Sequence, residues 1–571
     1  MTAVRPDNPL IVQSDHTVLV EVDSPRYNEA REGLARFAEL VKSPEHIHTY
    51  RLTPLSIWNA RAAGFAEEAI VAALTGYAKY PPPETVLAQV REFSSRYGRL
   101  TLARDDGGEL VLTAEDPLIA RAITNRRETE GLLHPEGDRT FRVEPARRGP
   151  LKQALTRIGY PVQDLAGYSD GEPLPLRLAE TTRGGAPFSL RRYQNDAAEA
   201  FYAGGGPRGG AGVVVLPCGG GKTIVGIACM ARTGSSTLIL ATNVTAVRQW
   251  IDEILDKTDL PEEWIGEYTG SSKDIRPVTV TTYQILTYRK SREADFGHFS
   301  IFDRRDWGLV IYDEVHLLPA PVFQITASLQ ARRRLGLTAT LVREDGREED
   351  VFSLIGPKKY DAPWKTLEAQ GWIAKARCTE IRVAMPEDLA FAYATAERRR
   401  QHRIAAENPA KLELARGILA HHPGEPALVI GSYVDQVKAV ADYLGVPLLT
   451  GSTPQKTRDR LFREFREGRH RVLAVSKVAN FSVDLPDAAV AVQLSGAFGS
   501  RQEEAQRLGR ILRPKAHGKQ AHFYTLVSHQ TCEQEFALRR QLFLCEQGYT
   551  YEILHLEDGS RFDFAVSHAN R

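Results

Sequence analysis

The chain has 571 residues, 42% hydrophobic and 25% charged, with a formal net charge of +1. At about 100–200 residues per domain this length predicts roughly three to four domains, and the composition excludes wholesale disorder. No run approaches the roughly 18 consecutive apolar residues of a membrane span, and the first ten residues, MTAVRPDNPL, lack the basic-then-apolar order of a secretory signal. Cys218, Cys229, Cys378, Cys532 and Cys545 form no CxxC pair. They read as buried cytosolic thiols, not as a disulfide framework or a local zinc or iron–sulfur site. With charge balanced overall, any basic surface must be local.

Three regions differ in texture. In the first, Pro54–Ala63 and Phe65–Leu74 read as short helices broken at Gly64, and a third helix follows Pro81-Pro-Pro83 with Val86, Leu87, Val90 and Phe93 on one face. Leu100–Ala103 and Leu110–Thr113 flank Asp-Asp-Gly-Gly, a hairpin turn. Three helices and a hairpin resemble a winged helix, a module that binds DNA or only a protein partner. Residues 126–184 read as loop-rich.

The second region supplies five candidate parallel strands, Val213–Leu216, Thr237–Thr242, Val278–Thr282, Leu309–Tyr312 and Leu335–Thr338, separated by helical stretches. The third repeats the texture with Ala427–Tyr433, Val472–Val475, Ala489–Gln493 and His522–Val527. Short apolar strands alternating with helices predict two α/β lobes, each a parallel sheet covered on both faces. The expected domains are 1–125, an accessory mixed α/β region; 126–184, a short linker; 185–366, the first lobe; and 367–571, the second.

Leu216-Pro-Cys-Gly-Gly-Gly-Lys-Thr223 follows a strand and opens a helix. Gly219, Gly220 and Gly221 let backbone N–H groups turn onto phosphate oxygens, and the helix N-terminus adds partial positive charge. Lys222 suits the β- and γ-phosphates and Thr223 the Mg²⁺ shell. The strict GxxxxGK[ST] pattern would have Gly at 216, where this chain has Leu.

Val310-Ile-Tyr-Asp-Glu-Val-His316 is an apolar strand ending in two carboxylates. It delivers Asp313 and Glu314 to the carboxyl edge of a parallel sheet, where ligands bind. Asp313 suits the Mg²⁺ shell, and Glu314 suits positioning or deprotonating an attacking water. His316 either couples this site to the neighbouring strand end or simply packs.

Asp-Glu-Val-His is a DExH box, and the order of the other motifs resembles superfamily 2 helicases. Leu190-Arg-Arg-Tyr-Gln194 precedes the phosphate loop, and Leu337-Thr-Ala-Thr340 resembles motif III. Gln506-Arg-Leu-Gly-Arg-Ile-Leu-Arg513 resembles motif VI, and a helix would set 506, 509, 510 and 513 on one face. The resemblance implies that Arg191 and Gln194 serve the adenine end of ATP, that Thr338 and Thr340 couple hydrolysis to movement, and that Arg510 and Arg513, supported by Gln506, stabilise charge on the γ-phosphate.

Four further features resemble the XPB branch of DNA helicases. They are Arg343-Glu-Asp345 after motif III; Ser476-Lys-Val-Ala-Asn-Phe-Ser-Val-Asp-Leu-Pro486, placing Asp484 near the ribose; the Leu-Pro-Cys-Gly form of the phosphate loop; and residues 9–55. The resemblance implies RecA-like lobes with an XPB-type N-terminal domain, a damage-recognition-like 126–184 and a thumb-like insertion near 386–405. It implies ATP and Mg²⁺ as cofactors, DNA as a single strand or duplex fork, 3′ to 5′ translocation and nucleotide excision repair. Arg343, Glu344 and Asp345 become a candidate wedge. Arg398, Arg399, Arg400 and Arg403 could neutralise about four phosphates, for a salt slope near −3 to −4. Thr281 and Thr282 sit where such motors hold the phosphate backbone. The same motifs serve a duplex translocase without strand separation, or a scaffold recruiting a repair nuclease. A cytoplasmic, nucleoid-associated prokaryotic protein with no membrane partner is expected.

Overall fold

The computed structural model describes residues 4–556 apart from 35, 43–45, 63, 145–146, 167–169, 207–208, 218, 289–297, 303, 319–321, 323–332, 340–350, 353, 363, 477–487, 497–503, 505–506, 510 and 512–519. The chain forms two compact units. One comprises residues 1–39, 49–216 and 221–362; the other comprises 363–571 with the short pieces 40–48 and 217–220.

The first unit begins with strands β1 (Leu10–Val12) and β2 (Thr17–Glu21), paired antiparallel. Helices Pro54–Ala62, Glu67–Gly76 and Glu84–Arg96 follow further along the chain. Val86, Leu87 and Val90 of the third are buried, as their spacing predicts. Trp58 donates its indole N–H to the Phe93 carbonyl at 3.0 Å, tying the first helix to the third.

Strands β3 (Glu39–Lys42) and β4 (Ile47–Arg51) precede these helices, and beyond them five strands form one sheet: β5 (Leu100–Arg104), β6 (Leu110–Ala114), β7 (His134–Pro135), β8 (Thr140–Val143) and β9 (Val162–Asp164). The order is β7-β8-β6-β5-β9. The β5–β6 turn is fixed by Asp105, whose carboxylate accepts from the N–H groups of Gly107 and Glu109 at 3.0 and 2.8 Å. The hairpin expected to form a wing is therefore the middle of a larger sheet. Residues 126–184, which read as loop-rich, supply β7, β8, β9 and the helix Arg148–Arg157. Short strands of mixed polarity hide in such a segment. Leu102, Leu112, Phe141, Leu151 and Leu155 pack as its core.

The first lobe is a seven-stranded parallel sheet: β10 (Ala211–Val215), β11 (Thr237–Ala241), β12 (Ile265–Tyr268), β13 (Val278–Thr282), β14 (Leu309–Asp313), β15 (Arg333–Thr338) and β16 (Lys358–Asp361). Its order is β12-β13-β11-β14-β15-β10-β16. Every residue of β10, β11 and β13 is buried, because helices cover both faces. The two edge strands, β12 and β16, escape the sequence reading. Lys-Lys-Tyr-Asp of β16 is half-buried throughout and carries none of the apolar signal of an inner strand.

The second unit holds another seven-stranded parallel sheet: β17 (Ala376–Val383), β18 (Ala427–Ile430), β19 (Leu448–Leu449), β20 (Val472–Val475), β21 (Val490–Gln493), β22 (Ala521–Ser528) and β23 (Tyr551–Leu556). The order is β19-β20-β18-β21-β22-β17-β23. Val429, Ala474, Val492 and Leu526 form the core with helices Ala410–His421 and Val434–Leu444. Strand β17 was hidden because it buries charge. Glu380 is fully buried, accepting from Gln541 at 2.6 Å and Arg382 at 2.7 Å.

Candidate active site

Chain order and sheet order disagree in the first lobe, and the disagreement builds the site. After β10 the chain crosses past β15 and β14 to lay down β11, so β14, β15 and β10 end side by side. Their carboxyl ends form the kind of edge at which parallel sheets bind ligands. Asp313 on β14 pairs with Leu337 on β15, and Thr338 with Val215 on β10, so the strand ends lie level.

The loop after β10 turns through left-handed Gly219 (φ 78°) and Gly221 (φ 77°) and opens the helix Lys222–Thr233. Gln194 lies on the helix Arg192–Tyr202, its amide oxygen accepting from the Arg191 N–H at 3.0 Å. A Cβ on Gly221 would lie 2.3 Å from Gln194 Nε2, so the amide packs directly on the loop. Arg191 reaches the Tyr193 hydroxyl at 3.1 Å. Helix and loop are thus brought together as the motif order anticipates.

Across the same edge, Lys222 Nζ meets Glu314 Oε1 at 2.5 Å, with side chains 13% and 18% exposed. Glu314 itself adopts left-handed backbone (φ 49°), strained for a non-glycine residue, which turns its side chain off the strand axis toward Lys222. His316 Nδ1 is 2.8 Å from the Thr338 hydroxyl and fully within the lobe. This contact links the end of β14 to the end of β15.

Electrostatics separate the two carboxylates. Burial, then repulsion from Glu314, pushes Asp313 up to about 6. Burial also works against charge on Glu314, but Lys222 and His316 more than offset it and hold that carboxyl below its usual range. Two carboxylates face one ammonium, so the pocket carries an excess of negative charge suited to a cation. Thr223 and Asp313 offer only oxygen donors, the choice of a hard ion such as Mg²⁺. No cluster of three or more His, Cys, Asp or Glu suited to a metal occurs among the described residues, so phosphate and water oxygens would complete its shell.

Other expected residues divide. Thr281 is fully buried and donates to the Tyr268 carbonyl at 2.8 Å; Thr282, also buried, caps the helix Tyr283–Leu286 by accepting from Ile285. Their hydroxyls serve the sheet and the cap and present no surface to a DNA backbone. Arg398 and Arg400 are exposed on the helix Arg398–Ala406, which also carries Arg399. Arg403 is instead committed to Glu407 at 2.8 Å and Asp435 at 2.6 Å. Thr340, Arg343, Glu344, Asp345, Asp484, Gln506, Arg510 and Arg513 lie outside the described residues.

Four positions were missed. Trp250 donates its indole N–H to Asp313 Oδ2 at 3.1 Å, and the Tyr283 hydroxyl donates to the Asp313 carbonyl at 2.9 Å. Nothing in the sequence marks either, since Val247, Trp250 and Ile254 read simply as the core face of a helix. In the second unit Arg507 is buried and donates to Gln493 and to the Ser495 carbonyl, while Glu504 accepts from Gln493 at 2.9 Å. These contacts anchor the motif VI segment to β21.

Comparison with known proteins fits this geometry. Residues 367–567 match the ERCC3/RAD25/XPB C-terminal helicase, residues 187–343 the type III restriction enzyme res subunit, and residues 10–136 a helicase conserved C-terminal domain. The DNA 3'-5' helicase XPB of Kineococcus radiotolerans is 53% identical over 553 residues, covering 97% of both chains. That of Mycobacterium tuberculosis is 53% identical over 553 residues, covering 97% of this chain and 98% of the relative. The general transcription and DNA repair factor IIH helicase/translocase subunit XPB of Antonospora locustae is 34% identical over 573 residues, covering 97% of this chain and 82% of its own. A phosphate loop facing a DExH pair, in a chain alike over nearly its whole length to these proteins, belongs to the XPB family of superfamily 2 DNA helicases.

Proposed function

We propose that the protein is an ATP-dependent DNA helicase that hydrolyses ATP at the carboxyl edge of its first lobe and moves 3′ to 5′ along DNA in nucleotide excision repair. The observation that carries the reading is Lys222 held at 2.5 Å from Glu314 beside Asp313. Three charged groups from two distant loops converge where a nucleotide's phosphates and cation would lie. The substrate, direction and repair role rest on the names of the relatives.

In this reading the N–H groups of Gly219, Gly220 and Gly221 and the helix N-terminus cradle the phosphates. Lys222 exchanges Glu314 for β- and γ-phosphate oxygens, and Gln194, with Arg191, holds the adenine. Thr223 and Asp313 hold Mg²⁺, which when bound neutralises charge developing on the transferred phosphoryl group. Glu314, released from Lys222, orients the attacking water and takes its proton. The family motifs assign Arg510 and Arg513, with Gln506, to the γ-phosphate and Asp484 to the ribose. His316, Thr338 and Thr340 pass the state of the site to the next strand. Arg343, Glu344 and Asp345 act at the fork, Arg398, Arg399 and Arg400 on DNA phosphates, and a repair nuclease is the partner this role calls for.

A duplex translocase is the second reading, favoured by relatives whose name reads helicase/translocase. ATP-dependent strand displacement on 3′-tailed and 5′-tailed duplexes, with Lys222→Ala as control, decides. Displacement of the 3′-tailed substrate alone supports the helicase. DNA-stimulated hydrolysis without displacement of either substrate supports the translocase.

A further inference from the structure

A buried tryptophan must place one N–H. Two other indoles in this chain find a neutral backbone carbonyl: Trp58 donates to Phe93 at 3.0 Å and Trp307 to Ile301 at 2.9 Å. Trp250, 1% exposed, donates instead to a carboxylate, Oδ2 of Asp313. The far edge of the same ring lies against Gly226, where a Cβ would meet Cη2 at 2.5 Å and Cζ3 at 3.1 Å. Glycine inside a helix costs roughly 1 kcal/mol relative to alanine. Here the missing methyl is the space the indole occupies. Gly226 stands three residues after Thr223 in the helix Lys222–Thr233, on the same face. One rigid ring therefore spans from the helix that carries Lys222 and Thr223 to the carboxylate that ends β14.

We propose that Trp250 is a positioning residue for the cation site: its ring sets the spacing between the Thr223 helix and β14, and its N–H holds Oδ2 of Asp313 so that the other carboxylate oxygen faces the metal. The inference rests on Asp313 being the cation's protein ligand. A carboxylate held through one oxygen has a fixed plane. Without that bond it rotates about χ2, and the cation loses a preorganised ligand. Partners of this kind, outside the metal's own ligands, typically change metal affinity about 10–100-fold.

The test uses the full chain with ADP and Mn²⁺, bound Mn²⁺ being read from the loss of the free-ion electron paramagnetic resonance signal. Trp250→Phe removes the N–H but also trims the ring. A second variant carries 3-benzothienylalanine at 250, which keeps the shape and replaces N–H by sulfur. Both are expected to weaken Mn²⁺ in the ADP complex at least about 10-fold. Metal-free ADP affinity of the benzothienyl variant should stay within about twofold, because the ring against the phosphate-binding helix keeps its shape. Mn²⁺ affinity within about twofold of wild type in the benzothienyl variant would overturn the proposal, since the bond would then set nothing. Asp313→Asn separates the levels. If it leaves Mn²⁺ affinity intact, Asp313 is not the ligand, and the assignment beneath the inference fails along with it.

Discussion

Lys222 and Glu314 are the two groups assigned to opposite sides of the proposed chemistry, yet they neutralise each other at 2.5 Å. Lys222→Ala leaves Glu314 beside Asp313 with no ammonium between them. Truncating one member of a buried ion pair costs about 3–5 kcal/mol. Here both side chains retain some solvent, and Glu314 can escape by taking a proton, so about 2–3 kcal/mol is expected near neutral pH. Glu314→Gln removes one of two adjacent negative charges and keeps an acceptor for Lys222, so about 0–1 kcal/mol is expected. The double variant should cost about 1 kcal/mol, a coupling of about 2 kcal/mol. Because a chain with several domains does not unfold in one step, the assay is native-state hydrogen exchange of the amides in β14 and in helix Lys222–Thr233. Single-variant costs that add to within about 0.5 kcal/mol would refute the claim that Lys222 and Glu314 stabilise each other across this edge.

Gly221→Ala forces a side chain into left-handed backbone and onto Gln194 Nε2; a backbone cost of about 1–2 kcal/mol and an ATP affinity lowered at least about tenfold are expected, read by calorimetric titration. Since Arg403 is held by Glu407 and Asp435 while Arg398 and Arg400 are exposed, Arg398→Ala with Arg400→Ala should lower the salt slope of single-strand binding by about 1.4 rather than abolish it. In the five-stranded sheet, Asp164 accepts from Arg148 at 2.6 Å and pairs with Lys152 at 3.0 Å. Burial alone would raise Asp164, but Lys152 and Arg148 hold it well below the carboxylate range, so its stabilisation is present above about pH 4 and is lost as pH falls through the folded value. Burial lowers Lys152 to about 8, so between about 8 and 10.5 the unfolded chain binds more protons and this group adds stability as pH rises. Asp164→Asn should cost about 3–5 kcal/mol, and its alkaline gain should begin at lower pH, measured by exchange of β5 and β9 amides across pH.

The legible parts of this chain are those where local chemistry is unusual. Three glycines before Lys-Thr, or two carboxylates ending an apolar strand, announce themselves because the phosphate loop and the DExH pair need those residue types in a row. The inner strands announced themselves too, since burial on both faces demands unbroken apolar runs. Edge strands such as β16, the charged strand β17, and β7, β8 and β9 around the legible β5–β6 hairpin did not, because their stability comes from partners far away in sequence. Thr281 and Thr282 show the converse. At a strand end they look available, but the neighbouring β12 and a helix turn take their hydroxyls.

The sequence by itself singled out the groups to which the proposed chemistry is assigned: Lys222, Thr223, Asp313 and Glu314 stand out by residue type, spacing and position at strand ends. Only the tertiary structure decided how they meet. The crossover from β10 to β11 places β15 between the two loops, so Lys222 closes on Glu314 while His316 reaches Thr338. The same packing turned a core tryptophan toward Asp313. A hydrogen bond between side chains 63 residues apart leaves no local trace in the sequence, because its cause is the layering of helix on sheet rather than any pattern along the chain.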